Sequence, residues 1–339
     1  MPKRILWSAN DPGGANAVVP VVAALIERGD EVVGIVTGPA IDIAKQKGFV
    51  VQDADKYSED ELKETVARAR PDVFLAGTSG SYDSIDKKIF KLLHGVPSVC
   101  VLDFWSNYRM RFSAEGEGLE YMPTIVCVMD ELARREMLAV GFDDARIRIT
   151  GNPHTEHFTE GITRDREDPN EIVFISQPLK SDNDPYPFDE FTVVEHLVRT
   201  LESLPTRFHL KLRLHPREEA HKFDEFMNER VRMSSAATLE EALSTAGLVV
   251  GMYSPVLIQA AAVGKPVISY EPNLIGEDPL VTNRFGLTNK VSTEKELERA
   301  LKAYVAGEPS ATTLDVSTIW PKGAAERILI VIDELIECA

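Results

Sequence analysis

Cysteine is scarce: the 339-residue chain has three, Cys100, Cys127 and Cys338, too few and too scattered for a disulfide framework. Cys100 and Cys127 lie inside apolar runs, where they read as reduced core residues of a protein in a reducing, cytoplasmic compartment. Long hydrophobic runs are missing too. None approaches the ~20 residues that a membrane-spanning helix needs, and the opening MPKRILWSANDPGG has too short an apolar stretch for a signal peptide. Positive charge is a third deficit. Lys and Arg number 37 against 54 Asp and Glu, a net charge of -17, which excludes a general affinity for nucleic acid. Any anionic ligand must therefore be met by local donors and not by the overall field. No cluster of His, Cys and acidic residues has metal-ligand spacing, so no metal and no cofactor are expected. The dinucleotide fingerprint is missing as well: the first strand is followed by Asn10-Asp11-Pro12-Gly13-Gly14, and no acidic residue closes the second.

What the chain does have is alternation of strand and helix. Ile5–Ala9 reads as a strand, Ala17–Arg28 as a helix and Glu31–Thr37 as the next strand. Helices at Glu59–Arg70, Lys87–His94 and Asp130–Val140 then alternate with strands at Asp72–Ala76, Val96–Leu102, Thr124–Val128 and Ala145–Thr150. The charged, turn-rich stretch Thr159–Asn170 reads as a hinge, after which the pattern restarts at Glu171. The fold class is α/β, with two Rossmann-like domains. Residues 1–160 form the first, 168–320 the second, and 321–339 an apolar amphipathic helix.

Residues 207 to 273 hold the densest chemistry. Arg207–Leu214 is a strand that breaks at His215-Pro216-Arg217-Glu218. Leu248–Gly251 stops at Met252-Tyr253-Ser254-Pro255 and opens into the helix Val256–Val263. Val267–Tyr270 ends at Glu271. In an open parallel sheet, ligands bind outside the carboxyl ends of the strands. Ser254 followed by Pro255 reads as a helix N-cap, and a helix start offers N–H groups and a positive dipole end to a diphosphate.

Four segments resemble the GT-B superfamily, and within it the UDP-N-acetylglucosamine 2-epimerases and related nucleotide-sugar glycosyltransferases. They are Glu131–Asn152 with its Thr-Gly-Asn ending, Leu212–Glu218 with His-Pro-Arg-Glu, Gly251–Pro266 with its Gly-Lys-Pro close, and Lys322–Leu329. The resemblance implies two domains facing across a cleft, with the last helix crossing back to the first domain. It implies a nucleotide sugar as substrate, the UDP form foremost, bound by the second domain. Two departures favour sugar transfer over epimerisation. Ala9–Gly14 stands where the epimerases carry Gly-Thr-Arg-Pro-Glu, and Leu102–Asn107 stands where they carry catalytic acidic groups.

The expected roles follow. Asp11 or Asp103 is the catalytic base and His215 the third catalytic group. Asn10, Gly13 and Gly14 admit the substrate closely. Trp105 and Asn107 form a sugar or acceptor platform. Ser176, Gln177, Arg217, Met252, Tyr253, Ser254, Gln259 and Glu271 hold the donor, with Arg217 as a bidentate phosphate clamp. The partners are the nucleotide sugar and an unidentified acceptor, and a homodimer is left open. Three further readings stand beside transfer: 2-epimerisation, polyol-phosphate transfer from a CDP-activated donor, and nucleotide-sugar binding without turnover.

Overall fold

The strand order, all parallel, divides the chain into two sheets of the same winding. The computed structural model describes residues 2–116, 118–157, 160–182, 186–276, 278–308 and 320–338. One unit comprises Met1–His157 and Ser317–Ala339, the other Phe158–Val316.

The first unit runs β1 (Arg4–Ala9), α1 (Pro12–Arg28), β2 (Glu31–Val36), α2 (Pro39–Gln46), β3 (Val51–Asp53), α3 (Glu59–Ala69), β4 (Val73–Gly77), α4 (Ile85–Leu92), β5 (Ser98–Val101), β6 (Ile125–Val128), α5 (Glu131–Ala139), β7 (Ile147–Ile149) and α6 (Pro153–His157). Its sheet order is β3-β2-β1-β4-β5-β6-β7. The order reverses between β1 and β4, so the crevice of a doubly wound sheet opens at the ends of these two strands.

The second unit runs β8 (Asp168–Ile175), α7 (Leu179–Asp182), α8 (Glu190–Glu202), β9 (His209–Arg213), β10 (Val231–Met233), α9 (Leu239–Thr245), β11 (Ala246–Gly251), α10 (Pro255–Ala262), β12 (Val267–Tyr270), α11 (Val281–Arg284), β13 (Asn289–Val291) and α12 (Glu294–Val305). Its order is β10-β9-β8-β11-β12-β13, with the reversal between β8 and β11. The last helix, α13 (Ala324–Glu337), belongs to the first unit. There Ile328, Val331 and Ile332 join Val18, Val22 and Leu25 of α1 in one apolar core.

Local chemistry explains why α13 starts where it does. Glu156 receives the backbone N–H groups of Gly323 (3.0 Å) and Ala324 (2.6 Å), satisfying two of the donors that a helix start leaves open. The indoles of Trp105 and Trp320 both donate to Asp130 Oδ2, at 2.8 and 3.0 Å. Asp130 meanwhile caps α5 through Ala133 N. One buried carboxylate thus pins the returning segment to the strand ends of its own unit.

Several expectations need correction. Helix α1 begins at Pro12 and not at Ala17, so Pro12–Asn16 belong to the helix and only Asn10 and Asp11 link it to β1. Residues 160–167 are bound to the second unit: Thr163 N donates to Ser244 Oγ (3.0 Å), and the buried Lys265 ammonium reaches Glu167 (2.9 Å) and the Ala246 carbonyl (2.7 Å). The stretch read as a hinge is therefore docked over this range, and β8 already begins at Asp168; Thr159 lies outside the described residues. The strands β3, β10 and β13 were not anticipated. Each has three residues, too few for a period of two to register.

Candidate functional site

In the second unit the loops after β8, β9 and β11 are laced together by side chains. Gln177 Oε1 accepts the backbone N–H of Tyr253 (3.1 Å), bridging the two strands at which the sheet order reverses. Glu218 accepts from Ser176 Oγ (2.9 Å), Lys222 Nζ (2.6 Å) and the backbone N–H of His215 (2.6 Å). Its side chain is only 1% exposed. The buried Glu190 shares the Lys222 ammonium, so two carboxylates are balanced by one cation and by hydroxyl and amide donors. His-Pro-Arg-Glu is accordingly a turn held from within by its own glutamate.

This lacing sets the tautomer of His215. Its Nδ1 accepts the backbone N–H of Arg217 (3.2 Å), which in the neutral ring places the proton on Nε2. Partial burial, and then the Arg217 guanidinium, push the imidazole below its ordinary pKa of 6.5, which favours that neutral form. Ser254 caps α10: its Oγ accepts Val256 N at 3.3 Å, Pro255 occupies the first turn, and no acidic residue does. A helix start without acidic residues is an anion-compatible end. Tyr253 meets Tyr186 edge-to-face at 5.0 Å, and Tyr186 stacks on Phe188 at 5.6 Å, forming an aromatic wall beside the Ser254 turn.

Other expected donor ligands are already engaged. Arg217 forks onto Asp182 at 3.0 and 2.7 Å, an exposed ion pair in place of the expected phosphate clamp. Ser176 is buried, and its hydroxyl is taken by Glu218. The Met252 side chain lies in the apolar core, so only its backbone remains at the site. Gln259 sits half-buried on α10. Glu271 is wholly buried; Ser269 Oγ donates to its Oε1 (3.0 Å), and Oε2 has no hydrogen-bond partner among the described residues. Burial, and then the neighbouring Asp278, push its carboxyl up to about 7. Lys290 at 3.8 Å is too distant to offset this fully.

In the first unit, Asp11 stands at the sheet reversal, in the N-cap position of α1, yet its side chain does not cap the helix. Its Oδ2 accepts instead from Ser79 Oγ (2.7 Å) and Gly80 N (3.1 Å), and its Oδ1 from Asn10 Nδ2 (2.6 Å). Asn10 is braced in turn by Thr37 (2.7 Å). Asp103 accepts from Thr78 Oγ1 (2.6 Å) and forms a largely buried ion pair with Arg111. Of the two candidate bases, Asp103 is neutralised by a guanidinium, whereas Asp11 is oriented by neutral donors.

The paired glycines serve packing within the first unit. A Cβ on Gly13 would stand 2.1 Å from Asp103 Oδ2, and one on Gly14 would stand 2.5 Å from the Thr78 carbonyl. Both are small because α1 presses against the ends of β4 and β5. Trp105 is a buried anchor, packed 5.7 Å from Trp320, and offers no platform. Asn107 is exposed, with a left-handed backbone at φ 54°. The residues that sequence reasoning passed over are Thr78, Ser79, Arg111, Glu218, Lys222 and Tyr186. Thr78 and Ser79 belong to a polar cluster ending a strand, and Glu218 closes the His-Pro-Arg-Glu turn; what the sequence does not show is that Ser176 and Glu190 meet Glu218 and Lys222 from 42 and 32 residues away.

Comparison with known proteins agrees with this fold. The sequence model of the alpha-2,8-polysialyltransferase family matches residues 141–268, a range that holds the His215 turn and the start of α10. No curated protein sequence matches. Among solved structures, a candidate UDP-N-acetylglucosamine 2-epimerase from Listeria monocytogenes superposes with a TM-score of 0.72 at 18% identity, covering 99% of this chain and 98% of the other. The UDP-N-acetylglucosamine 2-epimerase of Methanocaldococcus jannaschii gives 0.67 at 14% identity, with coverages of 97% and 99%. The glycotransferase of kitacinnamycin gives 0.59 at 15% identity, with coverages of 99% and 95%. The fold is thus of the GT-B type: two parallel-sheet α/β units, with the terminal helix returned to the first.

Proposed function

We propose that the chain is a glycosyltransferase taking its sugar from a nucleotide-activated donor. The observation that carries this reading is the lacing at the reversal point of the second sheet. Gln177 and Glu218 hold the Ser254 helix start and the His215 turn at the carboxyl ends of β8, β9 and β11. The positive dipole end of α10 and the Nε2–H of His215 then favour the phosphate oxygens of a donor and of its leaving group. The polysialyltransferase family match over this region supports sugar transfer, and the epimerases of like fold are named for a UDP-sugar.

In the proposed reaction an acceptor hydroxyl attacks the anomeric carbon. The bond from that carbon to the phosphate oxygen breaks, and the nucleotide leaves with its charge stabilised by the groups above. The hydroxyl proton passes to a general base. Asp11 is the better assignment than Asp103, because Asp103 is engaged by the Arg111 guanidinium, whereas Asp11 is held only by neutral donors. UDP is the first nucleotide to test, and the acceptor is unidentified.

The test is thermal-shift screening with UDP-N-acetylglucosamine and a nucleotide-activated sialic acid, followed by nucleotide release with and without oligosaccharide acceptors. Stabilisation with acceptor-dependent release is expected. Conversion of UDP-N-acetylglucosamine without acceptor would select 2-epimerisation, and stabilisation without turnover would leave only binding. No stabilisation by any nucleotide sugar would remove the proposal.

A further inference from the structure

A second concavity lies on the second unit, at the amino end of the strand β9 whose carboxyl end carries the His215 turn. It has a volume of about 340 Å³, and its charged lining is Arg207, His209, Lys211, Arg230 and Arg232 against the single acid Glu229. That balance stands out in a chain of net charge -17.

The strands dictate the arrangement. In β9 the residues alternate, with Leu210 and Leu212 buried in the apolar core and His209, Lys211 and Arg213 on the other face. β10 pairs in parallel with β9, and Arg232 is the register partner of Lys211. The two cations therefore leave neighbouring strands on the same face, roughly 4.8 Å apart at the backbone. His209 is within 3.8 Å of Asp168 and 3.5 Å of Glu171. Among the described residues no salt bridge engages Arg207, Lys211 or Arg232. Arg230 builds the wall: its guanidinium donates to the carbonyls of Phe208 (3.0 Å) and Pro205 (3.1 Å).

Cations on an edge strand also deter edge-to-edge pairing of sheets, and β10 is an edge strand. Repulsion of that kind needs no concavity, and it gives no reason for Lys211 of the inner strand, and Arg207 of the turn before it, to line one concavity with Arg232. Unpaired like charges brought together cost free energy that an anion would relieve.

We infer that this concavity is an anion-binding site, separate from the nucleotide site, for a multiply charged oxyanion, either free or carried on an acidic chain. Extended strand geometry puts Arg207 on the order of 25 Å along the chain from His215, at about 3.3 Å per residue, so one ligand does not fill both sites.

The test is calorimetric titration of the full chain at low ionic strength with two probes, inorganic pyrophosphate and a short polygalacturonate. The titrations are repeated with Lys211→Glu/Arg232→Glu and with the charge-matched control Lys45→Glu/Lys47→Glu, whose positions are exposed on and just after α2. Expected are binding that weakens steeply with salt, a loss of at least tenfold in the first variant, no loss in the control, and no displacement by UDP. Binding of pyrophosphate indicates a free oxyanion as ligand; binding of the oligomer alone indicates an acidic chain. The inference is overturned if neither probe binds, if the first variant binds as wild type, if the control loses affinity equally, or if UDP displaces the probe.

Discussion

The two sheets share a winding and differ in how they treat the point where it reverses. In the first unit the reversal is filled by protein: Gly13 and Gly14 let α1 press onto neighbouring strand ends, Arg111 neutralises Asp103, and Asp11 alone stays oriented by neutral donors. In the second unit the reversal is tied from below by Gln177 and Glu218, while the start of α10 carries no acidic residue and one imidazole N–H is kept as a donor. A parallel sheet thus fixes where a crevice falls. Whether that crevice presents an acceptor of protons or donors to an anion is settled by a few side chains beneath it.

The largest effect expected is that of Glu218→Ala. It would orphan the Ser176 hydroxyl and the His215 amide, and leave Lys222 with Glu190 alone. A loss of about 3–5 kcal/mol is expected in denaturant unfolding, together with loss of nucleotide-sugar affinity. An unfolding midpoint like that of the wild type would show that the lacing is not what holds the turn.

The two carboxylates of the first unit should separate cleanly. Asp103→Asn breaks a buried ion pair and should cost about 3 kcal/mol in stability. Asp11→Asn keeps an acceptor for Ser79 and Gly80 and gives up only the bond from Asn10, so it should cost about 1 kcal/mol, while lowering turnover roughly 10²–10⁴-fold if Asp11 is the base. Comparable turnover in Asp11→Asn and wild type would return the role to Asp103 or to another group.

Glu271 offers a test through pH. Its carboxyl is raised to about 7 from an ordinary 4.5, so the fold prefers the protonated form. No penalty arises below pH ~4.5; it grows between that value and pH ~7 as the unfolded chain ionises and the folded one does not, and it stays constant above. Glu271→Gln should therefore stabilise the protein more at pH 8 than at pH 4.5, by up to roughly 3 kcal/mol. Melting temperatures of both proteins at the two pH values check this, and a gain independent of pH would refute it.

The smallest effect is expected of Arg217→Ala. Its ion pair with Asp182 is exposed, with side chains 62% and 40% accessible, so stability should change by less than about 1 kcal/mol. Unchanged nucleotide affinity would confirm that Asp182, and not a phosphate, is its partner. A tenfold loss of affinity would show that the guanidinium exchanges one anion for the other.

Much of this was readable beforehand, for identifiable reasons. Strands such as Val267–Tyr270 and helices such as Ala324–Glu337 carry their periodicity within a few residues, so they lie where expected. The Ser254-Pro255 cap is equally local, needing only its own hydroxyl and the next amides. Trp105 was misjudged because its aromatic and polar neighbours look alike whether they face a sugar or a core. Its partner Trp320 is far away in sequence, and Asp130 between them was read only as the start of a helix. Gly13 and Gly14 are ambiguous in the same way, since a small residue at a strand end admits a neighbouring backbone as readily as a ligand.

The sequence by itself determined the elements, their alternation and the helix start at Ser254, because these depend on hydrogen bonds and apolar periodicity among near neighbours. Tertiary structure alone decided that Glu218 would be buried beneath Ser176 and Lys222, that Arg111 would pair with Asp103, and that Lys211 would meet Arg232 across two strands. Each outcome depends on which strands lie side by side, and burial and charge pairing act on that spatial neighbourhood and not on position along the chain.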